Sequence, residues 1–107
     1  MDKRIALVTG ASRGIGRAVA AAVAASGCHV LINYRRRQVE AEATLALIQR
    51  AGGSGELCPF DVADVTACEP AVARLLQTHQ RIDVLINNAG IRHDALMVFM
   101  SAEQWAQ

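Results

Sequence analysis

The segment Thr9-Gly10-Ala11-Ser12-Arg13-Gly14-Ile15-Gly16 has the residue types and spacing of a turn that holds a pyrophosphate. It follows the apolar run Ile5-Ala6-Leu7-Val8 and opens a stretch rich in Ala and Val. Gly10 permits the tight turn, Gly14 lets the backbone approach a ligand, and Gly16 lets helix and sheet close up. A helix end at this point supplies free N–H groups and the positive end of its dipole to phosphate oxygens. Gly10, Ser12, Arg13, Gly14, Ile15 and Gly16 are therefore the candidate residues of the turn. A second apolar run ends in Asn87-Asn88-Ala89-Gly90, and the pair is far more specific than a glycine turn alone.

Holding these segments requires strands and helices in alternation. A strand is expected over 3–8, and its unbroken apolar run Ile5-Ala6-Leu7-Val8 suits a parallel strand buried on both faces. A helix is expected over 15–26, with Ile15, Val19 and Val23 at helical spacing and Ala18 and Ala22 beside them for close packing. Gly27 should end it in a left-handed conformation. A strand over 29–33 leads to a helix over 37–50, with Val39, Ala43, Ala46 and Leu47 facing inward. Gly52-Gly53-Ser54-Gly55 reads as a turn and 56–60 as a third strand. Pro59 cannot donate to a ladder, so that strand should lie at an edge or stop there. After the loop Asp61-Val62-Ala63-Asp64, Thr66 with Glu69 has capping-box spacing, and Pro70 falls in the first turn, where its missing N–H does little harm. Val72, Leu75 and Leu76 form the apolar face of this helix, a fourth strand covers 82–86, and Ser101 caps a further helix. Right-handed crossovers then give an α/β, doubly wound parallel sheet in the order 3-2-1-4. Residues 1–107 read as the N-terminal portion of a single Rossmann domain. A flavodoxin-like fold is the alternative, and the positions of Gly14 and Gly16 argue against it.

Composition narrows the function classes. The chain is 52% hydrophobic but only 4% aromatic, so its core is aliphatic. Its net charge of +1 gives no reason to expect a nucleic-acid or membrane partner. No apolar stretch reaches transmembrane length and no signal-peptide pattern precedes the first strand. Cys28, Cys58 and Cys68 lack metal-ligand spacing, and His29, His79 and His93 stand isolated, so no metal is expected. Buried free thiols in a reducing cytoplasm are the expected state.

The chain resembles the short-chain dehydrogenase/reductase family along its whole length. Thr9-Gly10 with Gly14 and Gly16, Asn87-Asn88-Ala89-Gly90, and Asp61 just past the third strand carry the resemblance. Within that family the glycine turn and Asn88 to Leu96 are similar to 3-oxoacyl-[acyl-carrier-protein] reductases, with Met97-Val98-Phe99-Met100 and Trp105 in keeping. The resemblance implies a nicotinamide cofactor. Ile15 would give its backbone N–H to the pyrophosphate. Asp61 would accept from the adenine amino group, with Val62 beside the ring. Asn88, Ala89 and Gly90 would line the nicotinamide-side ribose. A bland role for Asp61 is a turn residue that caps its own loop, and for Asn88 a side chain that bonds strand backbones.

The end of the second strand speaks to which cofactor. An NAD-binding unit places a carboxylate there for the adenosine ribose. Here the chain reads Leu31-Ile32-Asn33-Tyr34-Arg35, with no acid. A 2′-phosphate would meet Arg35 or Arg36, and guanidinium–phosphate pairs are strong and directional. Arg13 resembles the loop arginine of NADPH-preferring members. The expectation is NADPH, resting on Arg13, Asn33, Arg35 and Arg36. The bland readings are a solvated helix start for Arg35-Arg36-Arg37 and a surface side chain over the turn for Arg13.

No catalytic residue maps onto the sequence. In the family a Tyr protonates the carbonyl oxygen, a Lys four residues on lowers its pKa, a Ser positions the carbonyl and an Asn supports a proton relay. Tyr34 lies at the adenine end, and Lys3 and Ser12 are in the wrong segments. The chain reads as the N-terminal part of a reductase whose parent forms a homo-oligomer and reduces a 3-oxoacyl group on acyl carrier protein. The alternatives are action on another ketone or secondary alcohol, or a non-catalytic nucleotide-binding fragment. The polypeptide alone is expected to be inactive, and poorly folded or self-associated through its fourth strand.

Overall fold

The computed structural model describes residues 3–88. The expectations for Ala89, Gly90, His93 and the helix capped by Ser101 lie outside the described residues. Strands β1 (Ile5–Val8), β2 (His29–Tyr34), β3 (Ser54–Pro59) and β4 (Val84–Ile86) alternate with helices α1 (Gly14–Ala25), α2 (Gln38–Arg50) and α3 (Val65–His79). The strands form one parallel sheet in the order β3-β2-β1-β4, the order expected for a Rossmann-type sheet and not a flavodoxin-like one.

Each face of the sheet carries its own apolar layer. Leu7 and Leu31 point toward α3, where they meet Val72, Leu75 and Cys68. Val8, Val30 and Ile32 point the other way, toward Ala20, Ala24 and Ile48 of α1 and α2. All four residues of β1 are buried, which explains their unbroken apolar run. Full burial of a side chain such as Leu7 or Leu31 contributes about 1.5–3 kcal/mol. β3 is an edge strand that ends on Pro59, so the missing N–H interrupts no interior ladder.

The helices follow their apolar spacing only in part. In α1 Gly16, Ala20 and Ala24 are buried and Val19 and Val23 pack beside them as expected, while Ala18 and Ala22 are exposed and Ile15 is 75% exposed. The close approach of Gly16 to the first turn fixes the rotation of the helix, and residues four apart follow it inward. In α2 the inward residues are Ala41, Thr44 and Ile48, while Val39, Ala43, Ala46 and Leu47 face solvent. Apolar residues surround this helix, so periodicity selects no face. A buried polar contact of Thr44 does so instead.

The cap of α3 also differs from the expected Thr66–Glu69 box. Asp64 caps it, its carboxylate accepting from the N–H groups of Thr66 at 3.0 Å and Ala67 at 3.3 Å. A carboxylate there satisfies free N–H groups and suits the helix dipole. Gly27, at φ +105°, follows α1 in the expected left-handed conformation. Gly52 ends α2 at positive φ, but Ser54 and Gly55 belong to β3 rather than to a turn.

Cys28, Cys58 and Cys68 are all buried and free. Burial pushes the Cys58 thiol up to about 12, with Glu56 adding to the effect and Arg74 opposing it. Burial, then Asp61 and Asp64, likewise raises Cys68, whose thiol donates to Val62 O at 3.3 Å.

Candidate nucleotide-binding site

The glycine turn leaves β1 and enters α1 through two left-handed residues, Gly10 at φ +62° and Gly14 at φ +60°. A side chain at Gly14 would meet nothing within 4 Å, so this position needs glycine for its backbone and for the space it leaves open. Gly16 is glycine for a different reason. A Cβ there would lie 1.9 Å from Gly10 O and 2.7 Å from Asn88 Nδ2. Helix, turn and second motif close on one another at this point.

The turn is held from below. Thr44 Oγ1 lies 2.9 Å from Ala11 O and 3.1 Å from Ser12 O. The Arg17 guanidinium donates to Ser12 O at 2.8 Å, Thr44 Oγ1 at 3.0 Å and Glu40 O at 3.0 Å. These bonds tie the turn's carbonyls to α2. The N–H groups of α1's first turn have no intrahelical acceptor, as at any helix start. No acidic side chain lies in that turn. Its positive potential is thus left for a bound anion.

The C-terminal ends of β1, β2 and β3 open onto one cavity. Among its lining residues are Gly10, Ser12, Asn33, Arg35, Arg36, Asp61 and Val62. Tyr34, Arg37, Phe60 and Ala63 complete the lining; of these the sequence points to Tyr34 at the adenine end and to Arg37 only as part of the basic cluster. Asn33 is buried, and its amide nitrogen donates to Cys58 O at 3.1 Å and Phe60 O at 3.0 Å. It therefore fastens β2 to the end of β3 instead of offering a free donor to a ligand. Asp61 caps its own loop, accepting from Ala63 N at 2.9 Å, and lies 3.4 Å from Arg35 Nε. Arg37 pairs with Glu40 at 3.1 Å. Arg36 is exposed, with no ion pair among the described residues. Arg13 caps α1 with extended backbone, and its side chain does not line this cavity. Ile15 presents an exposed side chain and can serve only through its backbone.

The second motif meets the first through Thr9, which is fully buried. The Thr9 hydroxyl accepts from Asn88 N at 2.8 Å and lies 3.1 Å from Asn87 Oδ1, and Asn88 Nδ2 donates to Gly10 O at 3.3 Å. Asn88 thus bonds the glycine turn, through the Thr9 hydroxyl and the Gly10 carbonyl, rather than strand backbones. The only sign of Thr9's part in the sequence is a hydroxyl residue directly before Gly10.

One expectation fails. His29 and His79 are not isolated: both ring nitrogens lie about one hydrogen-bond length from Glu56, 2.9 and 3.0 Å. They come from separate elements, so no spacing rule joins them.

The parallel 3-2-1-4 sheet, with its glycine turn between β1 and α1, is a Rossmann-type fold. The chain belongs to the short-chain dehydrogenase family, whose model matches residues 4–107. It is 43% identical over 105 residues to a 3-oxoacyl-[acyl-carrier-protein] reductase of Synechocystis sp., covering 98% of this chain and 42% of that protein. A dehydrogenase/reductase from Sinorhizobium meliloti superposes with a TM-score of 0.85 at 27% identity, over 97% of this chain and 50% of that one. A metagenomic short-chain oxidoreductase in complex with NADP superposes at 0.77 with 38% identity, over 82% of this chain and 39% of that one. The chain thus spans about two-fifths of the length of the Synechocystis relative.

The residues present fit a dinucleotide. The turn has open space at Gly14, the helix start bears no acid, and the adjoining cavity is lined by Arg35, Arg36 and Arg37. Among the described residues no helix is long and apolar enough to cross a membrane.

Proposed function

We propose that this chain is the nucleotide-binding portion of an NADPH-dependent reductase acting on a 3-oxoacyl group carried by acyl carrier protein. The observation that carries the cofactor reading is the end of β2. It has a buried amide at Asn33, then Arg35 and Arg36 facing the cavity, and no carboxylate where a ribose diol would need one. A 2′-phosphate there is attracted, and an anionic competitor for it is absent from β2. The NADP complex of a structural relative supports this reading. The substrate reading draws support from the Synechocystis reductase.

The bound cofactor supplies hydride to the carbonyl carbon. This chain's own residues bind and orient. The α1 N-terminus faces the pyrophosphate, Arg35 and Arg36 take the 2′-phosphate, and Val62 flanks the adenine. Arg17 and Thr44 hold the turn in shape. Asn88 would border the nicotinamide ribose.

Calorimetric titration of the protein carrying this sequence, with NADPH and NADH, tests the cofactor reading. NADPH is expected to bind at least tenfold more tightly, and Arg35→Ala with Arg36→Ala should erase the difference. Equal affinities in the unaltered protein would reject it. Turnover of acetoacetyl thioester against simple ketones and secondary alcohols tests the substrate reading separately.

A further inference from the structure

We propose that His29, Glu56 and His79 form a binding site for a divalent transition-metal ion of the zinc class, at the end of the sheet away from the nucleotide cavity. His29 opens β2, Glu56 lies on the neighbouring strand β3, and His79 is the last residue of α3. A side-chain ligand atom from each lies within 4.8 Å of the other two. Glu56 Oε1 is 2.9 Å from His29 Nε2 and 3.0 Å from His79 Nε2. The imidazole centroids are 5.5 Å apart, with the planes tilted by 42°, so the rings converge without stacking flat.

Two features distinguish this cluster from an ordinary surface ion pair. First, His79 Nε2 is buried and makes no hydrogen bond among the described residues, although Glu56 Oε1 lies 3.0 Å away. A buried nitrogen in that state is rare and calls for a partner. Second, the other histidine is oriented from behind. His29 Nδ1 lies 3.0 Å from Ser54 Oγ, which accepts from Lys3 Nζ at 3.0 Å. Outer partners of this kind fix which ring nitrogen faces a metal.

The donor set suits the ion. Zinc takes imidazole nitrogen and carboxylate oxygen at about 2.0–2.2 Å, and three protein ligands leave a fourth position for water or an anion. Tetrahedral ligands at that length stand about 3.4 Å apart, so Glu56 needs to move outward by a few tenths of an ångström and the two imidazole nitrogens, within 4.8 Å of each other, need to settle at the same spacing. At 42% side-chain exposure it has room to do so. Lys3 and Arg81 line the adjoining cavity, and Arg81 is paired with Asp83 at 2.9 Å. That setting suits a negatively charged fourth ligand. Bound metal would fasten β2, β3 and α3 together without touching the glycine turn, so the proposal is independent of the cofactor reading.

The test is an equilibrium titration of the full chain with Zn²⁺ against a chromophoric chelator, together with Co²⁺ absorption spectra. One ion per chain is expected, with tetrahedral cobalt bands and no thiolate-to-cobalt charge transfer. His29→Gln, His79→Gln and Glu56→Gln should each weaken binding at least tenfold. Zn²⁺ should raise the thermal midpoint of the unaltered protein and leave that of His79→Gln unchanged. Far-UV circular dichroism checks that the variants fold, and the half-exposed Glu56 is the position whose change least disturbs packing. Absence of binding by the unaltered protein, undiminished binding by folded variants, or a charge-transfer band from a cysteine ligand would each overturn the proposal.

Discussion

Asn88 donates its backbone N–H to the hydroxyl of Thr9 at 2.8 Å, across 79 positions of sequence. This bond joins the glycine turn to the segment after β4, and Asn88 Nδ2 reinforces it at Gly10 O, 3.3 Å away. Two motifs at opposite ends of the described chain are thereby one structural unit, and neither can shift alone.

Thr9→Val keeps the shape and removes the hydroxyl. It removes the acceptor of Asn88 N and the hydroxyl bond to Asn87 Oδ1, a loss of about 1–3 kcal/mol. Urea unfolding should show that loss, and Thr9→Ser should recover most of it. Dinucleotide affinity should fall in Thr9→Val, because Gly10 and Asn88 lose their common anchor. A Val variant as stable as the unaltered protein would show the coupling to be unimportant.

Gly14 and Gly16 should respond differently to the same methyl group. Gly14→Ala meets no neighbour but retains φ +60°, at a cost of roughly 1–2 kcal/mol for left-handed backbone. In Gly16→Ala the new carbon would sit 1.9 Å from Gly10 O, so backbone must move. Gly16→Ala should therefore be the more destabilising change in cofactor-free thermal unfolding. Gly14→Val should instead lower dinucleotide affinity by more than its effect on stability accounts for. The reverse ranking would reject the separate roles assigned to the two glycines.

These roles were legible in the sequence because a glycine pattern encodes backbone geometry directly. Sheet order was legible for a related reason: alternating strands and helices leave few ways to cross over. The inward face of α2 was not, and that of α1 only in part, through Val19 and Val23. Ile15 matched the apolar spacing yet stays exposed, since contact at Gly16 sets the helix rotation. Thr44 broke the apolar pattern yet is fully buried, because its partners are carbonyls of a loop 32 and 33 residues away. The grouping of His29, Glu56 and His79 was likewise invisible, as it depends on strand register and on where α3 ends.

Arg17 and Thr44 form the next testable pair. Thr44→Val removes the hydroxyl beside Ala11 O and Ser12 O, and Arg17→Met removes the guanidinium while keeping an unbranched side chain. Each should destabilise by about 1–3 kcal/mol, with the double variant losing less than the sum. The same variants should weaken dinucleotide binding through the shape of the turn, although neither side chain lines the cavity. Strict additivity in denaturant unfolding would show that the two act independently.

Asp83 supplies a pH-dependent contribution on the far side of β1. Its Oδ2 accepts from Ile5 N at 2.8 Å and Arg81 Nε at 2.9 Å. Burial pushes this carboxyl up, but the bonds from Ile5 and Arg81 and the charges of Arg81 and Arg4 outweigh it and hold it below the usual range. A carboxyl lowered in the folded state stabilises above its unfolded pKa, about 3.9, and loses that contribution as pH falls through the lower folded value. Asp83→Asn keeps an acceptor but removes the charge. The substitution should cost about 1 kcal/mol at pH 7, a modest figure because the pair is partly solvated. Urea midpoints of the two proteins should converge as the pH drops below about 3.9. A gap that stays constant from neutral to strongly acid solution would locate the effect in packing and not in charge.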